Sequence, residues 1–238
     1  LPPEVRAQEE AFAEQQLNAL LPESLLSNLF GSGVFGIGGA IALIFGALAA
    51  GSEYGWGTLK SVLSQRPGRL GVLLGKLAAL GLFLLLFVLL ALSAAALGSF
   101  AVARLEEAAV DWPSVGELFR GFGAGALILL VWGSLGFALA VLFRGTALAI
   151  GLGLAYALAV ENILATLPIE GDTFERIRKA TLGENTLGLS NSFGSPFPEG
   201  FGVPEPLVEP ERAVLVLSAY AVGFVLLAAL LLWRRDVT

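Results

Sequence analysis

The residues able to do chemistry gather between Gly51 and Lys76, in GSEYGWGTLKSVLSQRPGRLGVLLGK, and what they offer is charge rather than catalysis. The 238 residues contain no histidine and no cysteine. That removes the commonest general base, thiolate nucleophiles and thiolate metal sites. No aspartate pair lies inside an apolar run, so an intramembrane hydrolase has no machinery here. Gly75-Lys76 is followed by Leu77 rather than Ser or Thr, so it is not a phosphate-binding loop. Glu53, beside an apolar run in a basic stretch, calls for a partner, with Arg69 and Lys76 as candidates. Arg66, Arg69 and Lys76 equally suit lipid headgroups. A second charged group, Arg120, Glu161 and Asn162, falls near the ends of two other apolar runs. It suits a pair across a hairpin, an outer gate, or plain interfacial placement of snorkelling side chains.

The elements that position these residues are membrane spans. Apolar residues make up 56% of the chain, charged residues 14%, and mean hydropathy is +0.80; soluble domains carry about 25% charged residues. Five apolar runs, about 28–50, 77–103, 121–142, 146–167 and 213–233, are each long enough for the ~30 Å hydrocarbon core. The fold class is therefore all-α, a polytopic membrane helix bundle. The first run carries Gly31, Gly33, Gly36, Gly38, Gly39 and Gly46, so its backbone can approach another helix closely, within a bundle or between subunits. Gly121 and Gly125 give the third run the same small-residue spacing. Only Phe143-Arg144-Gly145 separates the third run from the fourth, which predicts a hairpin.

Outside the spans, residues 1–27 are acidic, with Val5, Phe12, Leu17, Leu20 and Leu21 interspersed; they read as a surface amphipathic helix broken at Pro22 or as a solvated linker. Residues 168–211 form the longest loop. Capping-box spacing at Asp172 and Glu175, with Gly183 as C-cap, predicts a short helix over 173–182. A polar pore ring, which a channel would need, is not visible.

Five alternating spans place 51–76, Arg144 and the tail from Arg234 on one face. That face holds seven basic residues (Lys60, Arg66, Arg69, Lys76, Arg144, Arg234, Arg235) against Glu53 and Asp236. Seven basic and eighteen acidic residues remain for the other face. Short basic loops stay in the cytoplasm, so 51–76 and the C-terminus are assigned there and residues 1–27 outside. A cytoplasmic start would then need a sixth span before Leu1, consistent with a first residue that is not methionine.

Glu53, Gly57, Thr58 and Leu59 stand as E-x3-G-T-L, and Arg69, Gly75 and Lys76 as R-x5-G-K. This pattern resembles the signature of the type 2 ABC transporter permeases, with Pro67 one position later than the family's proline. The span order, hairpin, large outer loop and basic C-terminal end extend the resemblance over most of the chain. The resemblance implies a six-span permease of the prokaryotic inner membrane, paired with a second permease as homodimer or homologous heterodimer. Each would dock on a cytoplasmic P-loop ATPase through a coupling helix in 51–76. ATP and Mg would belong to that partner, with no cofactor, metal or nucleic acid on this chain. Glu53, Gly57, Thr58, Lys60, Leu63, Arg66, Pro67, Arg69 and Lys76 are then the expected coupling residues, with Tyr54 and Trp56 as interfacial anchors. The expected function is ATP-driven export. The alternative keeps the architecture but passes ATPase motion to an extracytoplasmic partner.

Overall fold

A computed structural model describes residues 2–31, 34–56, 69–167, 169, 171–194 and 205–234. Within these, nine helices follow in order: α1 (Pro3–Leu20), α2 (Leu25–Gly31), α3 (Val34–Trp56), α4 (Arg69–Leu105), α5 (Val115–Phe143), α6 (Thr146–Thr166), α7 (Asp172–Ala180), α8 (Leu182–Asn191) and α9 (Pro210–Arg234). No strand occurs among the described residues, and α3, α4, α5, α6 and α9 are long and apolar enough to cross a membrane. The fold is an all-α polytopic bundle.

The bundle is built on a central helix. In the most apolar stretch of α5, 72% of residues are buried, against 11% in α6 and α9, whose remaining surface is apolar and left for lipid. Lipid tails are as apolar as leucine, so hydrophobicity alone does not drive these helices together; close packing must. The α3–α5 seam meets that need with glycine. A Cβ at Gly46 would overlap the Gly133 carbonyl, and a Cβ at Gly136 would overlap that of Leu43, so the two backbones touch at two points one turn apart. Leu43, fully buried, fills the space beside Gly153 of α6. Of the first-span glycines, Gly38, Gly39 and Gly46 face other helices of the bundle, whereas a Cβ at Gly36 would meet no atom within 4 Å. Gly121, in the second turn of α5, receives Leu26 of α2 in the same way.

Several boundaries differ from the sequence reading. Helix α3 continues six residues past Ala50, and α4 begins eight residues before Leu77, so both ends of the 51–76 stretch are helical and Glu53 and Lys76 ride on helices. Helix α5 starts at Val115 rather than 121 because Ser114 and Glu117 form a capping box: Glu117 N donates to Ser114 Oγ (3.2 Å) and Ser114 N to Glu117 Oε2 (2.7 Å). Pro22 breaks the N-terminal segment as expected, ending α1 at Leu20 and opening a 3₁₀ turn over Pro22–Ser24. Among the described residues of the 168–211 stretch, two helices precede α9 where one was expected. Helix α7 is capped by Gly171, whose φ of 140° suits glycine, and not by Asp172; Gly183 lies in the first turn of α8 instead of ending α7. Thr181 performs both tasks, closing α7 and capping α8 by accepting from Glu184 N.

Candidate functional site

At one end of the bundle, α3 and α4 are clamped at the root of the segment that joins them. Lys76 Nζ of α4 lies 3.0 Å from Glu53 Oε2 and donates to Ala49 O at 3.0 Å. Ala49 and Glu53 are four residues apart on α3, hence neighbours on one helix face, and the ammonium sits between them. Both side chains are about four-fifths buried, at 19% and 21% exposure, where water screens the pair less than at an open surface. Phe45 of α3 packs on Phe83 of α4, centroids 4.5 Å apart, two turns further into the bundle. Helix α3 can carry Glu53 this far because Gly51 admits the α5–α6 turn: a Cβ there would lie 2.6 Å from Thr146 Cγ2. That turn is closed by Arg144 in the left-handed region, φ 54° and ψ 39°. The clamp and the hairpin turn therefore share this end.

Of the expected coupling residues, the structure brings Glu53 and Lys76 together and starts α4 at Arg69. Gly57, Thr58, Lys60, Leu63, Arg66 and Pro67 lie outside the described residues. Tyr54 and Trp56 belong to the last turns of α3.

At the far end, Arg120 and Glu161 take separate places. Glu161 Oε1 accepts from Gly183 N at 2.9 Å, so a span carboxylate receives a free amide of the first turn of α8. A Cβ at Gly183 would collide with that carboxylate, which explains glycine at this position better than a helix end does. A π turn over Tyr156–Val160 precedes Glu161 within α6; such turns shift the helical phase of the residues beyond them. Asn162, next along, is exposed. Arg120, on α5, instead borders a cleft with Glu117, Glu23 and Glu211.

Sequence reasoning missed the residue that organises this end. Glu184, buried in α8, accepts from Arg178 Nη2 (3.0 Å) through one oxygen and from Leu207 N (2.7 Å) through the other. Asn185, fully buried beside it, donates to the carbonyls of Lys179 (3.0 Å) and Thr181 (2.7 Å). Tyr220, ten residues into α9, donates to Ala180 O at 2.9 Å. Together with Glu161, these bonds tie the α7–α8 pair to two spans. The Thr181-x-x-Glu184 spacing was the available signal for the second helix.

A family model described as ABC-2 family transporter protein matches residues 11–160, which include α3, α4, α5 and the clamp between them. A comparison with curated proteins gives no match.

Proposed function

The chain belongs to the ABC-2 family of transporter proteins, an ABC transporter permease, and from that premise we propose that it is the membrane subunit of an ATP-driven exporter. A separate cytoplasmic P-loop ATPase moves it through the 51–76 stretch. The observation that carries this reading is the clamp of Glu53, Lys76 and Ala49. It joins the two helices at the root of the segment between them, so a push on that segment reaches α3 and α4 together. Helix α3 in turn is locked to α5 by backbone contact, and rigid elements packed this closely move as one body. Residues 57–68, with Thr58, Lys60, Leu63 and Arg66, meet the ATPase, which binds ATP and Mg. The clamp end is cytoplasmic in the inner membrane, with the C-terminus on the same side, and a second permease completes the assembly.

A second reading has its own support. The α7–α8 pair, hydrogen-bonded to α6 and α9, is a platform able to pass span motion to an extracytoplasmic protein. Co-expression of the full-length protein with its neighbouring ATPase tests the proposal, comparing wild type with Glu53→Ala and with Lys60→Ala/Leu63→Ala. Coupling through this stretch predicts co-purification with wild type and loss of association, or of permease-dependent ATP hydrolysis, in the variants. Failure of any ATPase to associate with wild type overturns it. Hydrolysis stimulated by an outer protein but by no small molecule favours the second reading.

A further inference from the structure

At the end opposite the clamp, the outward one in the orientation proposed above, α2, the Trp112-Pro113 turn, α5, α8 and α9 border an open cleft of about 850 Å³. Its walls are graded. On α5, Glu117, Arg120, Ala124 and Leu127 fall at helical spacing along one face, which descends roughly 15 Å from the mouth. On α9, Glu211 precedes Val214 by about one turn, and Glu23 stands in the same relation to Leu26. These three walls thus carry a carboxylate at the mouth and hydrocarbon below it, while α8 and the turn after it add Leu189, Ser192 and Phe193. Glu23 and Glu211 are exposed, Glu117 is engaged by Ser114, and among the described residues Arg120 is the single base on the lining.

We propose that this cleft binds an amphiphile with one hydrocarbon chain and a cationic head. Among the described lining residues, three carboxylates to one guanidinium favour a cation at the mouth. Among the described residues the acids converge on no metal site, so the charge is spread as an organic cation needs. Trp112, half-exposed on the lining, adds an aromatic face for such a head. The lower walls, Leu26, Leu127, Leu189 and Val214, take the chain, and the volume suits a small molecule rather than a protein segment with its own fold. Phe119 of α5 and Leu215 of α9, both exposed, leave apolar surface on which the molecule can arrive from the bilayer. Describing the ligand as cargo rests on the transport reading; the binding site does not.

The test is titration calorimetry of the full-length chain in phosphatidylcholine nanodiscs with dodecyltrimethylammonium, and with dodecyl sulfate as the anionic counterpart, corrected against empty nanodiscs. Saturable binding of the cation alone is expected. Glu23→Gln/Glu211→Gln should weaken it about tenfold. Gly123→Trp should abolish it, since Gly123 lines the cleft and a Cβ there meets no atom within 4 Å, leaving room for the indole in the cleft. Non-saturable uptake, equal binding of dodecyl sulfate, or unchanged affinity in the carboxylate double variant overturns the proposal; should Gly123→Trp fail to fold, the carboxylate variant and the sulfate comparison still decide. The ATPase is not needed, so failed ATPase association rejects coupling while leaving this site standing.

Discussion

The α3–α5 seam and the α7–α8 platform hold helices together by opposite means. The seam is dry and nearly featureless in side-chain chemistry: glycines let one backbone lie on the other, and Leu43 is enclosed. The platform is held by directed polar bonds, with Glu184, Arg178, Asn185, Glu161 and Tyr220 each reaching a named partner. The difference follows from the surrounding medium. Inside hydrocarbon an apolar contact gains little over lipid, so shape must supply the attraction. Near the ends water is available, and a polar bond is worth making only where burial keeps water from competing for it.

The sharpest way to break the contrast is at the seam. Gly46→Leu forces a branched side chain into the Gly133 backbone, which has no rotamer to yield, and should cost about 3 kcal/mol or more. Loss of monodisperse protein in size-exclusion chromatography is the expected outcome. Gly75→Leu, where a Cβ meets nothing within 4 Å, should behave as wild type. Equal tolerance of both changes would mean that the seam is not a backbone contact.

Next in size is the platform. Glu184→Ala leaves Arg178 and Leu207 N without their acceptor and should cost about 2–3 kcal/mol. The loss should be local, read as faster hydrogen exchange in 182–191 and at Leu207 while α5 stays protected. At the clamp, Glu53→Gln and Lys76→Met should show a coupling of about 1–2 kcal/mol in a double-mutant cycle on thermal unfolding, intermediate between exposed and buried pairs. Additive effects would mean that the pair contributes packing alone.

The smallest effect is expected on the surface of α7. Lys179 donates to Glu175 one turn before it and holds that carboxyl below its ordinary value of 4.5. A carboxyl lowered in the folded state contributes above its ordinary value, and the contribution fades as pH falls through the lowered one. The pair is solvated, so Lys179→Met should leave the melting temperature at pH 7 unchanged, with any difference confined to acid-induced exchange in α7.

The spans were legible because 20 or so apolar residues have few other uses, and the need for an acid–base pair was legible because Glu53 stood beside an apolar run. Which base answers it was not. Both Arg69 and Lys76 lie within reach in sequence, and the choice depends on where α4 begins, at Arg69 rather than at Leu77. Glu184 was passed over because an acid in a long loop has no local reason to be buried. Its burial comes from Leu207 and Arg178 arriving from either side. Arg120 and Glu161 looked like one group in a linear reading; the π turn and the first turn of α8 send Glu161 elsewhere.

By itself the amino-acid sequence determined what local composition can enforce: five apolar helices, the break at Pro22, the tight turn at Arg144-Gly145 and the signature of the permease family. Those features depend on hydropathy and backbone preference, which act residue by residue. The tertiary structure decided which glycines meet which carbonyls, which base closes on Glu53 and which charges share the far-end cleft. Each depends on the phase and length of two helices at once. A shift of one residue turns a side chain by about 100°, and no single segment contains that information.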